Sequence, residues 1–224
     1  MEFTRAVDRA LRLLTILAES QEPVSLMEGS REAALAPSTA SRLLRSLESS
    51  GFASRDREGR YFVGSRFLKI AATALNSRPY LRTGRLHLEV LSQETGESAY
   101  IGVADDSRQA VIYIQHVPSP RAIRHWDALG RIVPIKGTAI GAALTGRTGP
   151  KGYAVRRGGV EPDVTAIAAP VRWFDKIAAA ISVIGPTFRI SDEDADRIGE
   201  LVVAHAEAIS ATAIPFAEQS GQSR

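Results

Sequence analysis

The 224-residue chain carries 28 Lys and Arg against 25 Asp and Glu, for a net charge of +3, with 44% hydrophobic residues and no cysteine. An apolar fraction of that size is enough to build a core, and the lack of cysteine excludes disulfides, thiolate metal sites and a cysteine nucleophile. The whole charge excess lies in the first third: residues 1–78 hold twelve Arg/Lys and nine Asp/Glu, whereas residues 79–224 hold sixteen of each.

No apolar run approaches the roughly 18 to 20 residues of a membrane span. Charges interrupt the N-terminal MEFTRAVDRALRLL, so it does not read as a secretory signal. No membrane partner is expected, and the expected compartment is the cytoplasm. Ala6, Leu11, Leu13, Leu14, Ile16 and Leu17 recur at helical spacing, with Arg5, Asp8, Arg9 and Arg12 mostly on the other face. Pro23 ends that segment. Ser25 with Glu28 three residues on predicts a capping box opening a short helix to about Ala33, which Gly29 weakens. A third helix starts at Pro37, where Ser38 and Thr39 are placed to bond free N–H groups. Leu43, Leu44 and Leu47 form its apolar stripe, and Gly51 stops it. Two short strands, 52–55 and 60–63, flank the turn 56–59, and an amphipathic helix follows Gly64.

Helix, helix, helix, hairpin is the order of a winged helix-turn-helix, with the third helix as reader and the hairpin as wing. A helix that begins with small hydroxyl residues can approach DNA closely. Ser38, Thr39 and Ser41 then meet phosphates or base edges, and Arg42 and Arg45 reach phosphates or pair with guanine. Arg55, Arg57 and Arg60 at the hairpin suit backbone or minor-groove contact. The competing reading is a trihelical bundle with a solvated arginine face. Helix order, hairpin and local basicity together favour DNA.

The remainder has a different texture. A helix from Pro79 is ended by Gly96. Strands are expected at 98–106, 109–117, 121–130, 164–173 and 176–186, with a small-residue helix in 136–146. A closing helix over 191–213 has an acidic first turn that suits its dipole. Helices at both ends of an antiparallel sheet make an α+β domain. The expected division is 1–64, a linker helix at 65–78, a second domain at 79–214 and a disordered tail at 215–224.

The stretch STASRLLRSLESSGFASRDREGRYFVGSRFLKIA resembles the IclR family of bacterial transcription regulators. LSQETGESAYIGV, GRIVPIKGTAIGAAL, AIAAPV and AAISVIGPTFRIS add further matches in the same order. The resemblance implies a linker helix between a winged helix-turn-helix and a GAF-like effector-binding domain. It also implies a palindromic double-stranded DNA operator, a homodimer or dimer of dimers, and a small-molecule effector, often an organic or aromatic acid. The positions matching the family's ligand contacts are Thr138, Ala139, Ile140, Arg156, Ala166, Ser182 and Ile184. Arg156 and Lys136 are the cationic candidates in an otherwise apolar pocket, which would suit a carboxylate on an apolar body. Gly137 and Gly141 are placed to offer N–H groups to an anion.

The sequence departs from the family pattern at Gly29, at Ala34 in place of the usual turn glycine, and at residues 147–151, where a few dozen residues are reduced to RTGPK. No cofactor is expected. His87, His116, His125 and His205 lie in separate elements, which argues against a metal site. No nucleophile elbow is present, and Ser182 has no base visible in sequence, so the chain does not read as an enzyme. Two other readings stay open: a constitutive DNA binder whose second domain only dimerises, and an enzyme with a winged-helix appendage.

Overall fold

The computed structural model describes residues 4–125 and 129–212, which divide into two compact units between Asn76 and Ser77. The tail expected at 215–224 lies outside the described residues.

The first unit contains α1 (Arg5–Glu19), α2 (Leu26–Glu32), α3 (Pro37–Ser49), β1 (Ala53–Arg55), β2 (Tyr61–Val63) and α4 (Ser65–Asn76). Its core joins Leu13, Leu14 and Leu17 of α1 to Leu43, Leu44 and Leu47 of α3, with Ala53 and Tyr61 closing it from the hairpin. Ser25 caps α2 reciprocally with Glu28, as the capping pattern predicts. Val24 and Tyr61 exchange both backbone hydrogen bonds at 2.7 Å, tying the α1–α2 connection to the wing. A Cβ on Gly64 would strike the Gly51 carbonyl, so the hairpin closes back onto the end of α3 only with glycine there. Ala6 and Leu11, expected in the apolar stripe of α1, are exposed, and the buried stripe is narrower.

The second unit contains α5 (Pro79–Thr95), β3 (Ser98–Ala104), β4 (Ala110–Val117), β5 (Ile132–Pro134), α6 (Ala139–Leu144), β6 (Ala154–Arg157), β7 (Val164–Trp173), β8 (Lys176–Pro186) and α7 (Asp192–Ala211). The six strands form one antiparallel sheet in the order β5-β4-β3-β8-β7-β6. Alternation sorts the side chains into two cores. Ala99, Ile101, Ile167, Ala169, Ile181 and Val183 meet α5 and α7 on one face, whereas Tyr100, Ala168, Ala180 and Ile184 meet α6 on the other. The central strands are covered on both faces, which is why they read as nearly unbroken apolar runs.

Residues 121–125, expected as part of a strand, form none. Their backbone is held by side chains instead: Arg189 donates to the Ile123 carbonyl at 2.9 Å, and Ser98 donates to the His125 carbonyl at 3.3 Å. The edge strands β5 and β6 were not expected; at three and four residues they are too short for alternation to announce them.

Candidate functional site

Two groups of residues stand out, one in each unit. In the first, Ser38, Arg42 and Arg45 are exposed on α3, with Thr39 and Ser41 half-buried beside them. The N-cap of α3 is Ala36, and no side chain caps the helix. The bonds expected from Ser38 and Thr39 are therefore not made. Ser38 is exposed and Thr39 half-buried, and the first-turn N–H groups lack a side-chain acceptor. A helix start in that state presents donors and a positive dipole end to an anion. Ala34, in the turn between α2 and α3, adopts φ 53°, the left-handed conformation that glycine would take without strain.

The wing arginines differ in what holds them. Arg60 bonds Asp56 at 2.9 Å and Glu58 at 2.8 Å. Desolvation works against ionisation of Asp56, but bonds from the Arg60 backbone and side chain hold its carboxyl below the usual range. Arg55 donates to the Gly59 carbonyl at 3.0 Å and lies over the Tyr61 ring. Arg57 is exposed at the turn.

In the second unit a narrow, half-open cavity lies beside α6. Tyr113, Val133, Ile140, Ala166 and Ile184 give it apolar walls; Arg131, Arg156, His125 and Glu161 bring charge and hydrogen-bonding groups. Six of the expected effector positions line it: Thr138, Ala139, Ile140, Arg156, Ala166 and Ile184. Two do not. Lys136 is exposed outside it, and Ser182 is fully buried next to Tyr100, its hydroxyl without a hydrogen-bond partner among the described residues. The Gly141 N–H expected to face an anion is taken by the Thr138 hydroxyl, which caps α6. A Cβ on Gly141 would collide with the Ile135 carbonyl, so glycine is what lets α6 lie against that strand end.

Tyr113, His125, Arg131 and Glu161 were not among the sequence candidates. Alternation did mark Tyr113, two residues from Val111 on the same face, but Arg131 and Glu161 lie in connections that carry no periodic signal. Burial pushes the Tyr113 hydroxyl well above its ordinary pKa, so it is a neutral donor at any physiological pH. The Tyr100 hydroxyl pairs with His125 Nδ1 at 2.7 Å, and the His116 ring stacks on Tyr100 at 4.5 Å. Behind them Glu97, 2% exposed, accepts two bonds of 2.7 Å from Arg189 and one of 3.4 Å from Arg121, clamping residues 121–125 to the start of β3. His87 and His205, distant in sequence, meet at 2.8 Å between α5 and α7. Among the described residues no cluster of three His, Asp or Glu could hold a metal, and no helix is long and apolar enough to cross a membrane.

Residues 6–57 match the IclR helix-turn-helix domain, and residues 72–150 and 146–211 match the bacterial transcriptional regulator IclR C-terminal domain. The chain belongs to the IclR family of bacterial transcriptional regulators. The two C-terminal pieces meet in the exposed connection from α6 to β6, where a shortened segment is expected. The chain is 29% identical over 142 residues to the glycerol operon regulatory protein of Streptomyces coelicolor, spanning 63% of this chain and 55% of that one. It is 27% identical over 243 residues to the transcriptional repressor IclR of Escherichia coli K12, spanning 92% of this chain and 89% of the repressor. An IclR homologue from Microbacterium hydrocarbonoxydans, solved in complex with 4-hydroxybenzoate, shares the fold with a TM-score of 0.77 at 21% identity, covering 93% of this chain and 98% of that one. This IclR-family chain is thus a transcription regulator with a helix-turn-helix DNA-binding domain, and its family is one of regulators rather than enzymes.

Proposed function

We propose that this regulator binds a palindromic operator as a two-fold pair and that a small organic acid in the second-unit cavity changes its affinity for that operator. The cavity carries the proposal. Its apolar walls, with Arg131 and Arg156 among the lining residues, suit a carboxylate on an aliphatic or aromatic body. It persists beside the shortened α6–β6 connection, which favours a ligand-responsive protein over a constitutive binder. The shared fold with a 4-hydroxybenzoate complex points the same way.

In this reading residues 1–64 read DNA, 65–78 link, and 79–214 bind the effector. α3 enters the major groove with Ser38, Thr39, Ser41, Arg42 and Arg45, and the wing assists through Arg55, Arg57 and Arg60. One such helix reads only a few base pairs, so two copies are needed for a palindrome. α1 exposes Val7 and Leu11, and α4 exposes Leu68, Ile70 and Leu75, apolar surface that pairing would cover. The effector acts by favouring one arrangement of the pair over another.

A gel-shift titration tests this, using DNA from upstream of the protein's own gene and neighbouring intergenic DNA at two salt concentrations. The native chain is expected to bind selectively, more weakly at high salt. Arg42→Ala with Arg45→Ala is expected to abolish selective binding, and an active acid is expected to shift the native midpoint. Absence of selective binding across genomic DNA would refute the operator assignment.

A further inference from the structure

We propose, resting on the organic-acid reading of the cavity, that Glu161 is the built-in counter-ion of the pocket. An entering carboxylate takes its place between Arg131 and His125 and so unlatches the loop that carries it.

Glu161 lies in the loop 158–163 between β6 and β7, and Gly159, Val160 and Glu161 form one wall of the cavity. One carboxylate oxygen stands 3.5 Å from Arg131 Nη1 and the other 3.7 Å from His125 Nε2. The two partners belong to the connection between β4 and β5. His125 is well anchored there, through Tyr100 at its other ring nitrogen and through the Glu97 clamp on residues 121–125. The loop is built differently. It closes at its base by Gly158 N–H to the Val164 carbonyl at 2.8 Å, and Gly158 takes φ 66°. The Glu161 and Asp163 carbonyls also accept from the Val164 and Thr187 N–H groups at 3.1 and 2.8 Å, and beyond those backbone bonds the Glu161 side chain joins the loop to the anchored wall.

The distances decide how firm that latch is. A charge-assisted hydrogen bond runs about 2.7–2.9 Å, so both Glu161 separations are long. The Glu161 and Arg131 side chains also keep 35% and 36% of their exposure. A solvent-accessible pair of that kind is weak. A ligand carboxylate that enters between Val133 and Ile140 meets the Arg131 guanidinium and His125 Nε2, and Arg131 can grip it with two parallel bonds. Two ionised carboxylates at that position repel, so an acid that binds ionised gains most when Glu161 leaves. The event is therefore exchange, and it selects ligands by charge: a neutral isostere of the same shape cannot displace Glu161.

The full chain, as wild type, Glu161→Gln and Arg131→Gln, is titrated by calorimetry with benzoate, 4-hydroxybenzoate and phenylacetate, each beside its neutral amide. The wild type is expected to bind at least one acid in preference to its amide. Glu161→Gln is expected to tighten that acid about fivefold, the scale of a lost exposed ion pair, and to change the amide less than twofold. Arg131→Gln is expected to erase the preference for acid over amide. Hydrogen exchange in residues 158–163 is expected to speed up when the acid binds. If the acid binds but Glu161→Gln fails to tighten it, or the loop becomes more protected, the counter-ion assignment is overturned while the acid pocket stands. If no acid binds wild type or either variant, the acid reading itself fails and this assignment goes with it.

Discussion

The two units place their functional groups by opposite routes. In the first, the proposed reading surface is about two turns of a single helix, and the residues from Ser38 to Arg45 are neighbours in sequence as well as in space. In the second, the cavity draws Tyr113 from one strand, Arg131 from a connection, Ile140 from a helix, Arg156 from an edge strand and Glu161 from a loop. A surface on one helix needs only that the helix form and its apolar stripe be buried. A cavity needs several elements to stop at fixed distances, so small steric changes reach it from afar.

The sharpest test of that difference is Gly141→Ala. The added Cβ runs into the Ile135 carbonyl, and backbone cannot yield as a side-chain tip would. A loss of about 3 kcal/mol is expected for the second unit in denaturant unfolding, with ligand binding lost and the first unit unchanged. A cooperative loss across both units would show that they do not unfold independently. The opposite sign is expected at Ala34→Gly. Relief of the left-handed conformation in the helix-turn-helix should stabilise the first unit by about 1 kcal/mol, read as a raised melting temperature of that unit.

Smaller effects separate the wing arginines. Arg57→Ala is expected to weaken operator binding about threefold and to lower the salt slope by about one. Arg60→Ala is expected to do less in the same titration, because Asp56 and Glu58 already engage its guanidinium. The smallest expected effect is a pH slope. Burial, reinforced by the neighbouring His205, lowers the His87 pKa in the folded state below its ordinary value of 6.5. The unfolded chain therefore takes up the proton first, and stability of the second unit should fall as pH drops through about 6.5. His87→Gln should flatten that slope in unfolding curves measured between pH 7.5 and 5.5.

Much of this was legible in the residues. The capping box at Ser25, the proline start of α3, the glycine stops at Gly51 and Gly96, and the hairpin all rest on interactions among residues a few positions apart. Six effector positions carried over by resemblance fall on the cavity, because strand alternation and the α6 turn preserve which face each residue occupies. The failures are of another kind. Residues 121–130 look like a strand by composition, but at 121–125 the Glu97 clamp and Ser98 engage the backbone from elsewhere in the chain. Leu11 looks like core by spacing, yet the small bundle buries a stripe too narrow to include it.

The sequence by itself determined the elements, their caps and the charge asymmetry, because those depend on local periodicity and on side chains bonding the nearest backbone. Tertiary structure alone decided that Glu161 faces Arg131 and His125, that His87 meets His205, and that Lys136 stays outside the cavity. Those outcomes depend on where a six-stranded sheet and its covering helices bring distant connections together, and no spacing along the chain encodes that distance.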